Sequence, residues 1–273
     1  MVVTTPYPAW NVVCGDEGGG TGLARGWHIM LAGNTGMGKS LVAINLAAHA
    51  VKKGEKVGII SLEMSKPQLI TRYMAIHTGK RISNLEWGPL YDESTALEAN
   101  EILEENYEEN GGVLLTNERP ISHLEDIIAS MRYLHEFRGV RCFITDYLQL
   151  AWTGNAENMS DRIMEVSHAV RSTAVELGAV SIGVSQFNRA TSSSTESPKV
   201  QGMMGGSSLE NDGDQVMLLD HTSYKETGQH QALIKLLTAK NRHGSCGEIP
   251  LMWDYTTLRA TQCDIREFEV DDD

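Results

Sequence analysis

Gly33-Asn34-Thr35-Gly36-Met37-Gly38-Lys39-Ser40 decides the reading of this chain. The octapeptide fits G-x-x-x-x-G-K-[ST] at every fixed position. Its surroundings fit too. A short apolar run at 27–32 stops at the glycine loop, and residues 41–51 then carry apolar side chains at helical spacing as far as the neighbourhood of Gly54. Glycines let the backbone fold around an anion with its N–H groups turned inward, and the N-terminus of the following helix adds positive potential. The expected contacts to the phosphates of a nucleoside triphosphate are therefore Gly33, Asn34, Thr35, Gly36, Met37, Gly38, Lys39, Ser40 and Leu41. Lys39 is placed to reach the β- and γ-phosphates, and the Ser40 hydroxyl to ligate Mg2+.

A phosphate loop of this kind needs a carboxylate for the metal and usually a second for the attacking water. Asp146 ends the apolar run at 140–145, and Glu63 ends the run at 57–62. Both positions are strand C-termini, the edge on which ligands gather in open α/β sheets. Asp146 is thus the expected metal carboxylate beside Ser40, and Glu63 the expected general base.

Working outward, strand and helix signals alternate through the first two thirds of the chain. Helical patterns are expected at 66–78, 93–109, 121–137 and 160–177, with strands at 113–115 and 180–185. Residues 189–207 are rich in serine, threonine and glycine without apolar period, which reads as a functional or mobile loop. Beyond it, 215–219, 232–239 and 249–253 read as strands joined by turns, hence antiparallel additions to a parallel sheet.

Bulk composition sets the outer limits. With 273 residues, 41% hydrophobic and 22% charged, the chain has material for a large core and is not globally disordered. No apolar run approaches membrane-spanning length, and the first residues lack the basic start of a signal peptide. The four cysteines have neither zinc spacing nor a disulfide framework. A cytoplasmic protein, bacterial or phage-encoded, with no membrane partner is the expectation. The formal net charge of -13 argues against coating nucleic acid with the whole surface but leaves room for a local basic channel. The acidic runs at 101–109 and 267–273 read as a solvated helix face and a frayed terminus.

Four further motifs follow the phosphate loop in order: Ser61-Leu62-Glu63-Met64, Asp146-Tyr147-Leu148-Gln149-Leu150, Ser185-Gln186-Phe187-Asn188-Arg189 and Lys240-Asn241-Arg242-His243-Gly244. As an ordered set they closely resemble the C-terminal motor domain of DnaB-type replicative helicases, from about Gly22 to Gln262. That resemblance implies an α/β fold with a RecA-like P-loop ATPase core: a mostly parallel central sheet, helices on both faces, and antiparallel strands added near the C-terminus. It divides the chain into a short N-terminal extension (1–26), the motor domain (27–262) and an acidic tail (263–273). It implies ATP and Mg2+ as cofactors, with Glu63 as catalytic base. Gln186 resembles the glutamine that senses the γ-phosphate. Arg242, with Lys240 beside it, resembles the arginine finger that enters a neighbouring subunit's site.

The implied partners are single-stranded DNA and further copies of the chain in a hexamer. Replication proteins such as primase or polymerase would join them. Ser207 to Asp214 resembles the segment after the family's second DNA-binding loop, so Gly205, Gly206 and Ser207 are candidate phosphate contacts, with Arg189 and Lys199 as candidate cations. Trp152 is a candidate stacking residue. Two departures stand out. The arginine the family often places near Met204 is missing, and only about thirty residues precede the P-loop, where the family has a primase-binding region and linker helix. The function expected is an ATP-dependent helicase or translocase on single-stranded DNA. A RecA- or RadA-like recombination ATPase and a nucleotide-gated scaffold stand as alternatives.

Overall fold

Runs that are apolar on both faces become the interior strands of one sheet. The computed structural model describes residues 2–14, 22–117, 121–154, 158–187, 197–199, 206–228, 230–264 and 266. In chain order the elements begin with β1 (Val2–Val3), α1 (Pro8–Cys14), β2 (Leu23–Ala24), β3 (His28–Gly33), α2 (Lys39–Lys52) and β4 (Lys56–Ser61). They continue with α3 (Lys66–Thr78), α4 (Ile82–Leu85), α5 (Glu93–Asn110), β5 (Val113–Thr116), α6 (Leu124–Arg138), β6 (Cys142–Asp146) and a 3-10 turn at Leu148–Leu150. The last are α7 (Met159–Glu176), β7 (Val180–Gln186), α8 (Gly206–Asp212), β8 (Gln215–Gly228), β9 (Gln231–Asn241), β10 (Glu248–Asp254) and β11 (Arg259–Gln262).

Among the described residues the main sheet has nine strands in the order β11-β10-β9-β8-β3-β7-β6-β4-β5. β5, β4, β6, β7, β3 and β8 run parallel, and β9, β10 and β11 continue the sheet antiparallel. The expected mixed sheet is therefore present. β3 is buried at all six positions, as a strand covered on both faces must be.

Two apolar layers sandwich the sheet. On one side Val42, Leu46 and Val51 of α2 join Leu69, Tyr73 and Ile76 of α3. On the other Ile127 and Met131 of α6 join Ile163, Val166 and Val170 of α7. Helix α5 buries only Ala99 and leaves Glu101, Glu104, Glu105, Glu108 and Glu109 exposed, which is the solvated face expected from its charge.

In the N-terminal segment Tyr7 and Trp10 are fully buried, and the Trp10 indole donates to Gln215 Oε1 at 2.9 Å. Two features depart from the sequence reading. Strand β8 runs on to Gly228 through irregular register with β9, well past the expected 215–219. The expected loop at 189–207 ends in helix, because α8 starts at Gly206. Most of that stretch, with Arg189 and Gly205, lies outside the described residues, as does the tail at 267–273.

Candidate nucleotide site and its partner edge

Strand register brings the motifs together. Gly33 at the end of β3 pairs with Gln186 at the end of β7, and Ser61 at the end of β4 pairs with Asp146 at the end of β6. Four strand ends thus open on one edge, and the glycine loop leaves from the same edge into α2.

The loop's glycines are required by geometry at two points. Gly36 and Gly38 have φ of 80° and 86°, a region that side chains with a Cβ rarely adopt. At Gly38 an added Cβ would also meet the Trp253 ring at 2.8 Å, so β10 closes tightly over the loop. Lys39 is buried and its ammonium donates to Asn34 O at 2.9 Å. Burial lowers the Lys39 pKa, while the charges of Asp146 and Glu63 act to raise it. Leu41, expected among the loop contacts, turns its side chain into the core beneath the loop.

Asp146 is 2% exposed, and its Oδ1 has no hydrogen-bond partner. Burial lifts the carboxyl to about 6, a hydrogen bond with Ser40 acts downward, the Glu63 charge acts upward and Lys39 acts downward. A buried carboxylate oxygen left bare beside a serine hydroxyl and a lysine fits a hard divalent cation with oxygen ligands. Ser40 and Asp146 are the residues that would hold Mg2+.

Glu63 is exposed and sits in a turn fixed from three sides. Leu62 N donates to Asp146 O at 2.7 Å, Ser61 Oγ donates to Met64 O at 2.8 Å, and Ser61 N donates to Asn117 Oδ1 at 2.9 Å. Its carboxylate is near enough to influence Lys39, Asp146 and Tyr147. Thr35 Oγ1 in the glycine loop donates to Gln186 Oε1 at 3.5 Å, and the same side chain hydrogen-bonds to the Tyr147 phenol. Gln149 Nε2 donates to Ser185 Oγ at 2.7 Å and steadies the strand end. Sequence reasoning misses the roles of Tyr147, Gln149 and Trp253 at this edge. Tyr147 and Gln149 stand in a recognised motif; Trp253 carries no local signal, since only sheet order brings it to Gly38.

Lys240 and Arg242 lie on the opposite edge. Asn241 pairs with Gln215, and Gln215 pairs with Ile29 near the start of β3. The length of β3, roughly 16–20 Å for six residues, separates Arg242 from its own glycine loop, farther than one arginine side chain spans. Arg242 Nη2 donates to Asn211 O at 2.5 Å and Nη1 lies 3.5 Å from Asp214 Oδ1. Lys240 Nζ donates to Gly213 O at 2.9 Å and also to Glu210 O.

The candidate DNA residues are only partly placed. Lys199 is exposed, and Gly206 and Ser207 form the first turn of α8. Trp152 is 49% exposed with its ring edge-on to His123 at 4.9 Å. The described residues do not assemble these groups into one surface.

Sheet order and the glycine loop at the β3–α2 junction define a RecA-like fold. The chain belongs to the DnaB-like helicase C terminal domain family, whose profile matches residues 19–262. It is 29% identical over 244 residues to a probable plasmid replicative DNA helicase of Chlamydia psittaci, covering 88% of this chain and 51% of the relative. It is 28% identical over 236 residues to the replicative DNA helicase DnaB of Geobacillus stearothermophilus, covering 85% and 51%. The chain thus spans about half the length of these curated relatives. Among solved structures, a DnaB-like replicative helicase described with its interactions with primase superposes with a TM-score of 0.80 at 19% identity, covering 97% of this chain and 64% of that one. A second solved structure, described as an ATPase domain, superposes with a TM-score of 0.75 at 20% identity, covering 89% and 87%. Both structures agree with the fold.

Proposed function

We propose that this chain is an ATP-driven motor that translocates on single-stranded DNA and unwinds duplex during replication in the cytoplasm, working as a hexamer with ATP sites at subunit interfaces. The observation that carries the interface reading is the placement of Arg242. It stands a strand's length from its own glycine loop, which supports a role for Arg242 on the transferred phosphoryl group of the neighbouring copy rather than its own.

Each residue has a defined task in this reading. Backbone N–H groups of the glycine loop and the Lys39 ammonium bind the triphosphate. When bound by Ser40 and Asp146, Mg2+ would neutralise charge on the β- and γ-phosphate oxygens. Glu63, held over the edge by the Ser61–Met64 turn, takes a proton from the attacking water. The partner copy's arginine stabilises charge on the transferred group. Gln186, bonded to both Thr35 and Tyr147, changes its contacts when the γ-phosphate leaves and passes that change into the segment after β7. Contacts to DNA phosphates by Arg189, Lys199, Gly205, Gly206 and Ser207 belong to the same proposal, as do primase or polymerase as further partners. The family name, and helicase relatives with 27–29% identity across most of the chain, support the motor reading over recombination or scaffolding.

Mixing Arg242→Ala subunits with Lys39→Ala subunits tests it. Shared sites predict ATP hydrolysis that departs from proportionality with composition, because a mixed interface in one of its two orientations pairs an intact loop with an intact arginine. Strictly proportional activity, or duplex unwinding that survives Lys39→Ala or Glu63→Gln, would refute the proposal.

A further inference from the structure

One buried carboxylate organises the edge that carries Arg242. Asp214 is 6% exposed and sits between α8 and β8. Its Oδ2 accepts from His28 N at 2.9 Å, while its own N–H donates to His28 O at 2.8 Å, which fixes it to the start of β3. Its other oxygen faces two guanidinium groups, Arg242 at 3.5 Å and Arg171 of α7 at 3.8 Å, and the His243 ring at 3.8 Å. Arg242 N donates to Asp214 O at 2.9 Å, so the peptide carrying the arginine is tied to the same residue as its guanidinium. The His243 ring stacks on Trp27 at 4.2 Å and 7°, closing the cluster from the far side.

The remaining contacts of the basic pair go to the C-terminal end of α8. Arg242 takes Asn211 O, and Lys240 takes the carbonyls of Glu210 and Gly213. These carbonyls are left over where the helix ends and carry its negative end of the dipole, so two cations there are well placed. Helix α8 is the element into which the candidate DNA-binding segment leads.

We propose that Asp214 is the positioning residue of the trans-acting arginine: with the last turn of α8 it sets the reach of Arg242 toward the neighbouring subunit's phosphates, so that a shift of α8 is felt at the ATP site next door. This rests on the proposed function, since it needs Arg242 to act in trans. Asp214 touches no substrate. It acts by restricting the rotamers of a long side chain that must meet a phosphoryl group with both planar donors aligned.

The test compares Asp214→Asn with the unaltered full chain, in single-stranded DNA-stimulated ATP hydrolysis. An untethered arginine has many rotamers to lose on reaching the site, so kcat should fall about tenfold, with KM for ATP unchanged. In an Arg242→Ala background the same substitution should have no further effect on kcat, because the arginine it positions is missing. A merely structural role would instead lower activity by the same factor in both backgrounds, or raise KM, and either result overturns the inference. Should Asp214→Asn fail to fold, Asp214→Glu keeps the charge, displaces it by one methylene and undergoes the same comparison. If Arg242→Ala leaves hydrolysis intact, the trans-arginine reading fails and takes this one with it. If Arg242→Ala lowers hydrolysis to a still measurable rate and Asp214→Asn lowers that rate by the same factor as in the parent, this inference alone fails.

Discussion

Replacing Asp146 with asparagine should stabilise the nucleotide-free protein while abolishing ATP hydrolysis. The carboxylate is buried, one oxygen is without a partner, and burial sets its pKa at about 6 against 3.8 for an unperturbed carboxyl. That difference corresponds to at most about 3 kcal/mol against the folded state once the group is ionised. Between about pH 4 and pH 6 the folded chain binds more protons at this site than the unfolded chain, so stability falls as pH rises through that window and stays low above it. Asparagine keeps the shape and an acceptor for Ser40 but carries no charge. At pH 8, without nucleotide or divalent metal, Asp146→Asn should therefore melt on the order of 5–10 °C above the parent. Thermal unfolding followed by circular dichroism from pH 8 to pH 4 measures this directly. The gap should close toward the acid end, and the variant should show no Mg2+-dependent ATP hydrolysis at any pH. An asparagine variant that melts below the parent at pH 8, or a gap constant across the pH range, would refute the argument that an uncompensated charge waits here for a cation.

Gly38→Ala is expected to cost about 1–3 kcal/mol and weaken ATP-analogue binding, because the residue is at positive φ and a Cβ would press on Trp253; paired melting and equilibrium binding measurements check it. Gln186→Ala should leave nucleotide affinity within a few-fold but remove DNA stimulation of hydrolysis, read as a stimulated-to-basal ratio falling toward one. Trp10→Phe should lower stability by about 1–2 kcal/mol, seen as a shift in the urea midpoint, because it deletes the buried hydrogen bond to Gln215.

Much of this architecture can be read from the chain because its determinants are local. The strand before Gly33 and the helix after it show themselves by apolar run and apolar period, and the octapeptide between them admits few other uses. Asp146 and Glu63 are readable as strand-end carboxylates for the same reason. Helix α3 also starts where the sequence suggests, because its cap is local: Gln68 reaches back to Ser65 N. What escapes a sequence reading depends on partners far away in the chain. Helix α1 is too short for a period to show, and its place is set by Trp10 reaching Gln215 across 205 residues. Trp253 meets Gly38 only because β10 follows β9 and β8 in the sheet. Asp214 looks like a turn residue in Asn211-Asp212-Gly213-Asp214; the register of β3, β8 and β9 brings His28 and Arg242 to it, and the packing of α7 against α8 adds Arg171.

The central claim is that ATP is hydrolysed at interfaces of an assembly engaged on DNA. Steady-state hydrolysis measured across protein concentration, with and without single-stranded DNA, tests it most directly. A rate per subunit that rises cooperatively with concentration and rises further with DNA is the predicted result. A rate per subunit that is constant across concentration and indifferent to DNA would contradict the account.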